Sequence, residues 1–432
     1  MSGSTHDTTH DSGHGNGHPP AVKPRPTEAE LQARKERTRQ RVAGDRETIT
    51  VSMGPQHPSM HGVYQAVVDL DGEIVVRTRP GIGNLHRGVE KLAEHRTYHQ
   101  FIPVTDRLDY ISSFAMNHGY CEAVEKLMGV EVPARARYIR TIAHELCRLS
   151  NHILWLGVHI MDFGAQTFFL ICFRDREYIL DLFEMLCGAR LTHSYARIGG
   201  VSKDLPADWS QRCREVVEFL PKRMAEYERL IKSNRVFLKR AVGIGIFTEA
   251  DCNAWRVTGP PLRAAGVARD LRKDEPYAAY GEVDFEVAVE YNADVYDRFL
   301  VRMKEMRESC KIILQCLENM PDGPFLADDA AHVMPLKKNV LRDSAAMVQD
   351  FYHVFHGPQV PKGEVYNAIE VPKGEMGVYI VSDGGPKPQR LHLATPSFYH
   401  GQAVPPLFEG EMIADVVGIF GSIDVVLGDC DR

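Results

Sequence analysis

Two imidazoles, His57 and His61, sit in the run Met53-Gly-Pro-Gln-His-Pro-Ser-Met-His-Gly62, which Pro55 and Pro58 stiffen and Gly54 and Gly62 open. Proline fixes its own φ and restricts the residue before it, while glycine admits close backbone approach. Such a loop holds its side chains at defined positions, and imidazole exchanges protons near neutral pH. Two chemistries fit: a metal site, and proton donation to a bound substrate. Solvated surface histidines are the third reading; of the two, His57 reads as a residue that shapes the loop. Tyr110, in Asp106-Arg-Leu-Asp-Tyr110, adds a phenolic donor; by itself such a residue is more often a core tyrosine with a satisfied hydroxyl.

Other motifs fail on inspection. His144-Glu-Leu-Cys-Arg148 begins like a zinc-protease helix but ends in arginine. Gly81-Ile-Gly83 lacks the third dinucleotide glycine, and there is no Walker loop, so the chain is not expected to bind NADH itself. His6, His10, His14 and His18 recur every four residues, yet a Ser/Thr/Gly/Pro-rich setting does not hold the helix that would align them.

The elements that must position these groups follow from periodicity. Residues 1–47 read as a disordered His-rich tail and a charged arm, a short helix over 27–41 with Thr27 and Glu30 as capping box. Residues 48–86 read as a β-rich segment carrying the His loop, with a hairpin turning at Asp71-Gly72. Residues 87–330 read as a helical bundle. One helix starts at Pro133 and buries Ile139, Ile142, Leu146, Leu149 and Ile153 on one face out to about Met161. Further helices are expected over 168–189, 207–233 and 285–319. Residues 331–432 read as a C-terminal α+β segment, with strands at 368–371, 377–381 and 391–394 and a helix over about 412–420. The fold class is therefore α+β, mainly a helical bundle flanked by small N- and C-terminal β-sheets.

Composition narrows the function. At 432 residues the chain exceeds one compact core, and its net charge of −7 gives no case for a nucleic-acid partner. Nine scattered cysteines without a Cys-x-x-Cys pair suggest reduced thiols rather than a disulfide frame or zinc knuckle. The N-terminus has no secretory pattern. The most apolar run, Ile153 to Phe173, contains His159 and Asp162 and reads as buried interior, so no membrane span is expected.

The His loop resembles, almost letter for letter, the signature of the D subunit of respiratory complex I. The similarity continues in order through Gly83–Lys91, Asp106–Tyr110, Met161–Ala165, Gly188–Arg190, Arg197–Val201, Pro372–Tyr379 and Gly428–Arg432, covering roughly residues 50–432. That family is related in fold to the large subunit of nickel–iron hydrogenases. Arg87-Gly-Val-Glu90 survives here, but Asp109 and Ser112 stand where the first thiolate pair would, and Cys430 is alone near the C-terminus. Nickel in such a site needs thiolates, so no metal site is assigned. The resemblance implies a quinone as substrate, contacted by His61 and Tyr110, with Asp162 orienting His61. It implies an iron–sulfur subunit carrying the terminal cluster, approached by Arg87 and by His193. The family reads Gly-Ala-Arg-Met-His, whereas this chain places its histidine one residue later, about 100° round a helix. Arg87 otherwise reads as an ion-pair partner of Glu90. Other peripheral-arm and membrane-arm subunits are implied partners, and the implied location is the cytoplasmic face of a bacterial inner membrane. Two rival readings are a hydrogenase-like subunit with its own nickel, and a non-catalytic scaffold of a related ferredoxin-linked complex.

Overall fold

The computed structural model describes residues 47–57 and 60–432, together with positions 27, 29, 30, 33, 36 and 40. The expected tail over 1–26 and most of the arm lie outside the described residues. The Thr27–Glu30 capping box is formed: Thr27 N–H donates to the Glu30 carboxylate (2.6 Å) and Glu30 N–H to Thr27 Oγ1 (3.3 Å).

β1 (Ile49–Met53), β2 (Gln65–Asp71) and β3 (Ile74–Gly81) form an antiparallel meander in sequence order. The hairpin turns at Asp71-Gly72 as expected, with Gly72 at φ 63°, a value that favours glycine. Ala66, Val68 and Val75 face the core while Asp69 pairs outward with Arg79. β1 was not foreseen; its alternation is faint because four of its five residues are exposed.

Helix α1 (Ser113–Met128) packs on a second antiparallel sheet of β6 (Gly363–Val371), β7 (Gly374–Ser382) and β8 (Arg390–Ala394). The longest helix is α2 (Ala134–Asp162), 29 residues entered through Pro133 and about 43 Å long. It packs against α3 (Gln166–Cys187), α4 (Val295–Asn319) and α5 (Ile413–Ile423).

Three expectations need correction. The α2 helix is buried on more than the one apolar face: Arg140, His144, Glu145, Arg148 and His152 are also inside, because each meets a partner from elsewhere in the chain. The helix expected over 285–319 begins only at Val295, where the Asp294 carboxylate accepts from Asp297 N–H (2.8 Å) and fixes the start. Within the expected bundle, residues 196–201, which lie between the helices expected over 168–189 and 207–233, form a short ribbon of β4 (Ala196–Arg197) and β5 (Gly200–Val201).

The Ile153–Phe173 run is interior only in part. It breaks at Gly164 (φ 91°), and Gly164, Gln166, Thr167 and Leu170 are exposed. Among the described residues no helix is long and apolar enough to cross a membrane. All nine cysteines are free thiols.

Candidate functional site

The His loop leaves β1 at buried Met53 and turns on Gly54. A side chain there would drive a Cβ to within 2.1 Å of the Tyr64 carbonyl oxygen, so only glycine fits. Met60 N–H closes a turn onto the His57 carbonyl (3.0 Å), and Met60 itself is fully buried as the loop's anchor. His61 follows at φ 45°, in the left-handed region that non-glycine residues seldom adopt and that clusters at functional sites.

That backbone aims His61 Nε2 at Asp162 Oδ2, 2.8 Å away. The two side chains are only 14% and 9% exposed, respectively. Asp162 is the last residue of α2, where the helix dipole disfavours a negative charge. From α5, Gly421 packs onto the pair: a Cβ at that position would meet Asp162 Oδ2 at 2.9 Å, His159 Nδ1 at 2.9 Å and His61 Cε1 at 3.2 Å. Trp155 Nε1–H donates to the Gly421 carbonyl (2.7 Å), pinning α5 to α2 at this level.

Tyr110 lies in the turn before α1 and is half-buried. Burial raises its pKa, the Asp109 charge adds to this, and Lys373 and Arg87 oppose it. The phenol therefore keeps its proton. Asp109 is fully buried and pairs with Lys373 Nζ at 2.8 Å; its other contacts are with Ser112 Oγ and the N–H of Ile111. Lys373 also reaches Asp424 (3.5 Å) and donates to Asn151. Burial alone would lower the lysine pKa, but Asp109 and Asp424 outweigh it and hold the ammonium charged. Nearby, Asp429 is buried and its pKa is pushed up to about 7, first by burial and then by the Asp109 charge.

The C-terminal segment joins these two clusters. Leu427 packs beside Gly62, next to His61, and the Gly428 Cα sits against the Arg107 and Leu108 carbonyls, next to Asp109 and Tyr110. Arg87 closes the same seam by donating to the Arg107 (2.8 Å) and Gly428 (3.0 Å) carbonyls. The ion pair of Arg87 with Glu90 is not formed; Glu90 instead meets Arg390 (2.9 Å), His392 (3.0 Å) and Arg432 (3.5 Å). Among the described residues no carboxylate pairs with Arg87, so its charge is directed only at backbone dipoles.

His193 stands apart from His61 and Asp162. Its ring stacks on Phe183 (3.9 Å between centroids), Nδ1 meets Ser113 Oγ at 2.9 Å, and Nε2 has no partner. Burial lowers its pKa to about 3, so the ring is neutral. The argument from helical rotation does not apply to it, because α3 ends at Cys187 and residues 188–195 are irregular. Arg190 beside it is engaged by Glu177, Asp181 and Glu184.

Sequence reasoning missed Lys373, Asp424, Asp429, His159 and Gly421. Lys373 and Asp429 were visible inside the matched runs Pro372–Tyr379 and Gly428–Arg432. Nothing in the local pattern marked either as a buried ionisable group.

The family model described as "Respiratory-chain NADH dehydrogenase, 49 Kd subunit" matches residues 162–432. The chain is 48% identical over 386 residues to the D subunit of NADH-quinone oxidoreductase from Geotalea uraniireducens, covering 89% of this chain and 99% of that protein. It is 47% identical to the corresponding D subunit of Geobacter sulfurreducens over the same shares of each chain. It is 48% identical to that of Magnetococcus marinus, covering 89% of this chain and 97% of the relative. With this much of its length matched, by relatives that carry one description, the chain belongs to the family of 49 kDa, or D, subunits of NADH-quinone oxidoreductase, the respiratory complex I.

Proposed function

We propose that this chain forms the quinone headgroup pocket of a proton-translocating NADH:quinone oxidoreductase, working only within the assembled complex. The observation that carries the reading is the 2.8 Å His61–Asp162 pair, held by a left-handed residue in a glycine-gated loop. Reduction of a quinone to a quinol takes two electrons and two protons, one proton at each carbonyl oxygen. His61, oriented by Asp162, supplies one, and Tyr110 supplies the other. The raised Tyr110 pKa suits this order, since the phenol gives up its proton only to the strong base that a reduced quinone becomes. Lys373 then stabilises the phenolate charge beside Asp109.

Electrons reach the site from the terminal iron–sulfur cluster of a partner subunit. Arg87, with its charge uncompensated by any described carboxylate, favours the reduced cluster electrostatically. His193, neutral and with Nε2 unpartnered, is the weaker of the two candidates for that surface. Other peripheral-arm and membrane-arm subunits complete the assembly, at the cytoplasmic face of a bacterial inner membrane. The helical bundle flanked by small sheets suits a fold descended from the hydrogenase large subunit. A resident nickel is disfavoured by the donors present: Asp109 and Ser112 are oxygen ligands already committed to each other and to the Lys373 ammonium.

The test is NADH-driven quinone reduction in membranes carrying Tyr110→Phe, with assembly and cluster reduction checked on the same samples. The reading requires a loss of turnover on the order of 100-fold, as for removal of a general acid, while the clusters still reduce. Unchanged turnover and unchanged quinone KM would remove Tyr110 from the site and favour the scaffold reading.

A further inference from the structure

His159 is completely buried, and neither ring nitrogen has a hydrogen-bond partner. Leaving a buried polar group unpaired is costly and rare in native proteins, so such a group asks for a reason. The ring is held by aromatic neighbours: it stacks on Trp155 (5.0 Å, 19°) and meets Phe163 (5.2 Å) and Phe237 (6.3 Å) edge-on. These contacts fix its orientation without offering a hydrogen bond.

Its position is specific. His159 precedes Asp162 by three residues on α2, so the two side chains share one face of the helix. The Gly421 Cα is the floor between them. His159 Nδ1 and Asp162 Oδ2 each lie 2.9 Å from the point a Cβ there would occupy, with His61 Cε1 3.2 Å from it. Only glycine leaves that space open to the carboxylate.

We propose that His159 is the second partner of Asp162. Once His61 has given its proton to the substrate, the Asp162 carboxylate turns from His61 Nε2 to a hydrogen bond donated by His159 Nδ1–H. It returns when His61 is reprotonated.

This rests on the reading of His61 as a proton donor to quinone. No bond is made or broken at His159: it donates a hydrogen bond and keeps its proton, which makes it a positioning residue. Its surroundings keep it in the neutral form, since burial, then the His61 charge and those of Arg302 and Arg298 all lower its proton affinity. Arg302 itself stands over the Trp155 ring at 4.1 Å. The positive field behind the histidine thus favours a carboxylate moving toward it. Without the second partner Asp162 would stay fixed on neutral His61, at a helix end that disfavours its charge.

The experiment compares His159→Asn with His159→Gln in the assembled complex. The Asn amide nitrogen stands near where Nδ1 does, and the Gln amide nitrogen nearer to Nε2. Turnover of decylubiquinone driven by NADH is normalised to assembled complex on native gels. The inference requires that Asn stay within about twofold of wild type while Gln loses on the order of tenfold in kcat with KM unchanged, the worth of one charge-assisted hydrogen bond. Equal kcat in the two variants, high or low, overturns it, and so does failure of both to assemble, which would mark His159 as a packing residue. His61→Gln run alongside separates the two levels. Wild-type turnover in that variant refutes the quinone reading itself. Its inactivity, with Asn and Gln at 159 equal, refutes only the role of His159.

Discussion

Gly421→Ala is the most local perturbation the site allows. Gly421 lies within the helix α5, where alanine is ordinarily favoured over glycine by about 1 kcal/mol. Here the added methyl would stand 2.9 Å from Asp162 Oδ2 and from His159 Nδ1, closer than a Cβ tolerates. The α5 backbone is tied down by the 2.7 Å bond from Trp155 Nε1–H to the Gly421 carbonyl, and the His159 ring is boxed by Trp155, Phe163 and Phe237. The Asp162 carboxylate is the group left to give way. A shift of a few tenths of an ångström takes its 2.8 Å bond to His61 outside the range of about 2.7–2.9 Å typical of charge-assisted pairs. Such a bond is worth about 1.5–3 kcal/mol, which corresponds to a 10- to 100-fold fall in kcat. Overpacking costs about 1–3 kcal/mol, partly offset by the gain in helix propensity, so assembly survives. The assay is NADH-driven decylubiquinone reduction, set against ferricyanide reduction by NADH, which bypasses the quinone step. Gly119→Ala is the control: its methyl would stand 2.9 Å from Ile369 Cδ1, in the packing of α1 on β6, far from the pair. Wild-type quinone turnover in Gly421→Ala, or equal losses in the two variants, would refute the geometric argument.

Asp429→Asn tests the buried acid at the C-terminus. Its folded pKa, about 7, lies above the ordinary aspartate value of 3.8, so the native state binds the proton more tightly than the unfolded chain. Stability from this group is complete below about pH 4, falls as pH rises, and is lost above about pH 7. The ceiling is about 4 kcal/mol. Thermal unfolding of the full chain should show Asn stabilising at pH 8 and flattening the decline between pH 4 and 7; a parallel decline in both proteins would contradict the assignment. On the proposed reading, Arg87→Met removes the charge that favours the reduced cluster. The midpoint of the partner's terminal cluster, titrated by electron paramagnetic resonance, should fall by tens of millivolts, and an unmoved midpoint would return Arg87 to a purely backbone-bracing role.

Much of the scaffold was legible because it follows local rules. Pro133 opens α2, Asp71-Gly72 turns the hairpin, and short apolar runs at 368–371, 377–381 and 391–394 mark the strands of the C-terminal sheet. What failed was one local cap and several long-range pairings. The start of α4 depends on an aspartate cap that interrupts an otherwise helical pattern. The charged side of α2 was not read as buried because its partners lie far away in sequence: His152 meets Glu305 at 2.8 Å, and Arg272 meets Glu145 at 3.2 Å. The site divides in the same way. Asp162 and His61, 101 residues apart, were joined through resemblance to a family and not through any periodicity. Lys373 lies in a glycine turn that reads as surface, and only the fold reveals that Asp109 and Asp424 draw it inside.

Those buried pairs bear on how Asp162 can move. Glu145 is met by Arg148 and Arg272, by Tyr280 and by Ser309, and His152 by Glu305, which in turn meets Arg263 at 2.8 Å. Replacing such a cluster with apolar groups need not reduce stability. It would, however, release a geometric constraint, because the pairs α2 makes with other segments, Glu145 with Arg272 and His152 with Glu305, are satisfied at only one rotation of α2 about its axis. Leaving any one of these charges unpaired in the interior would cost about 3–5 kcal/mol. A turn of the helix would unpair several at once, a cost no single proton transfer at His61 could offset. On the proposed reading, the response to loss of the His61 proton is therefore confined to the Asp162 side chain, about 25 Å along the same rod from Glu145. The space open to that side chain is the one Gly421 leaves, and it leads to His159.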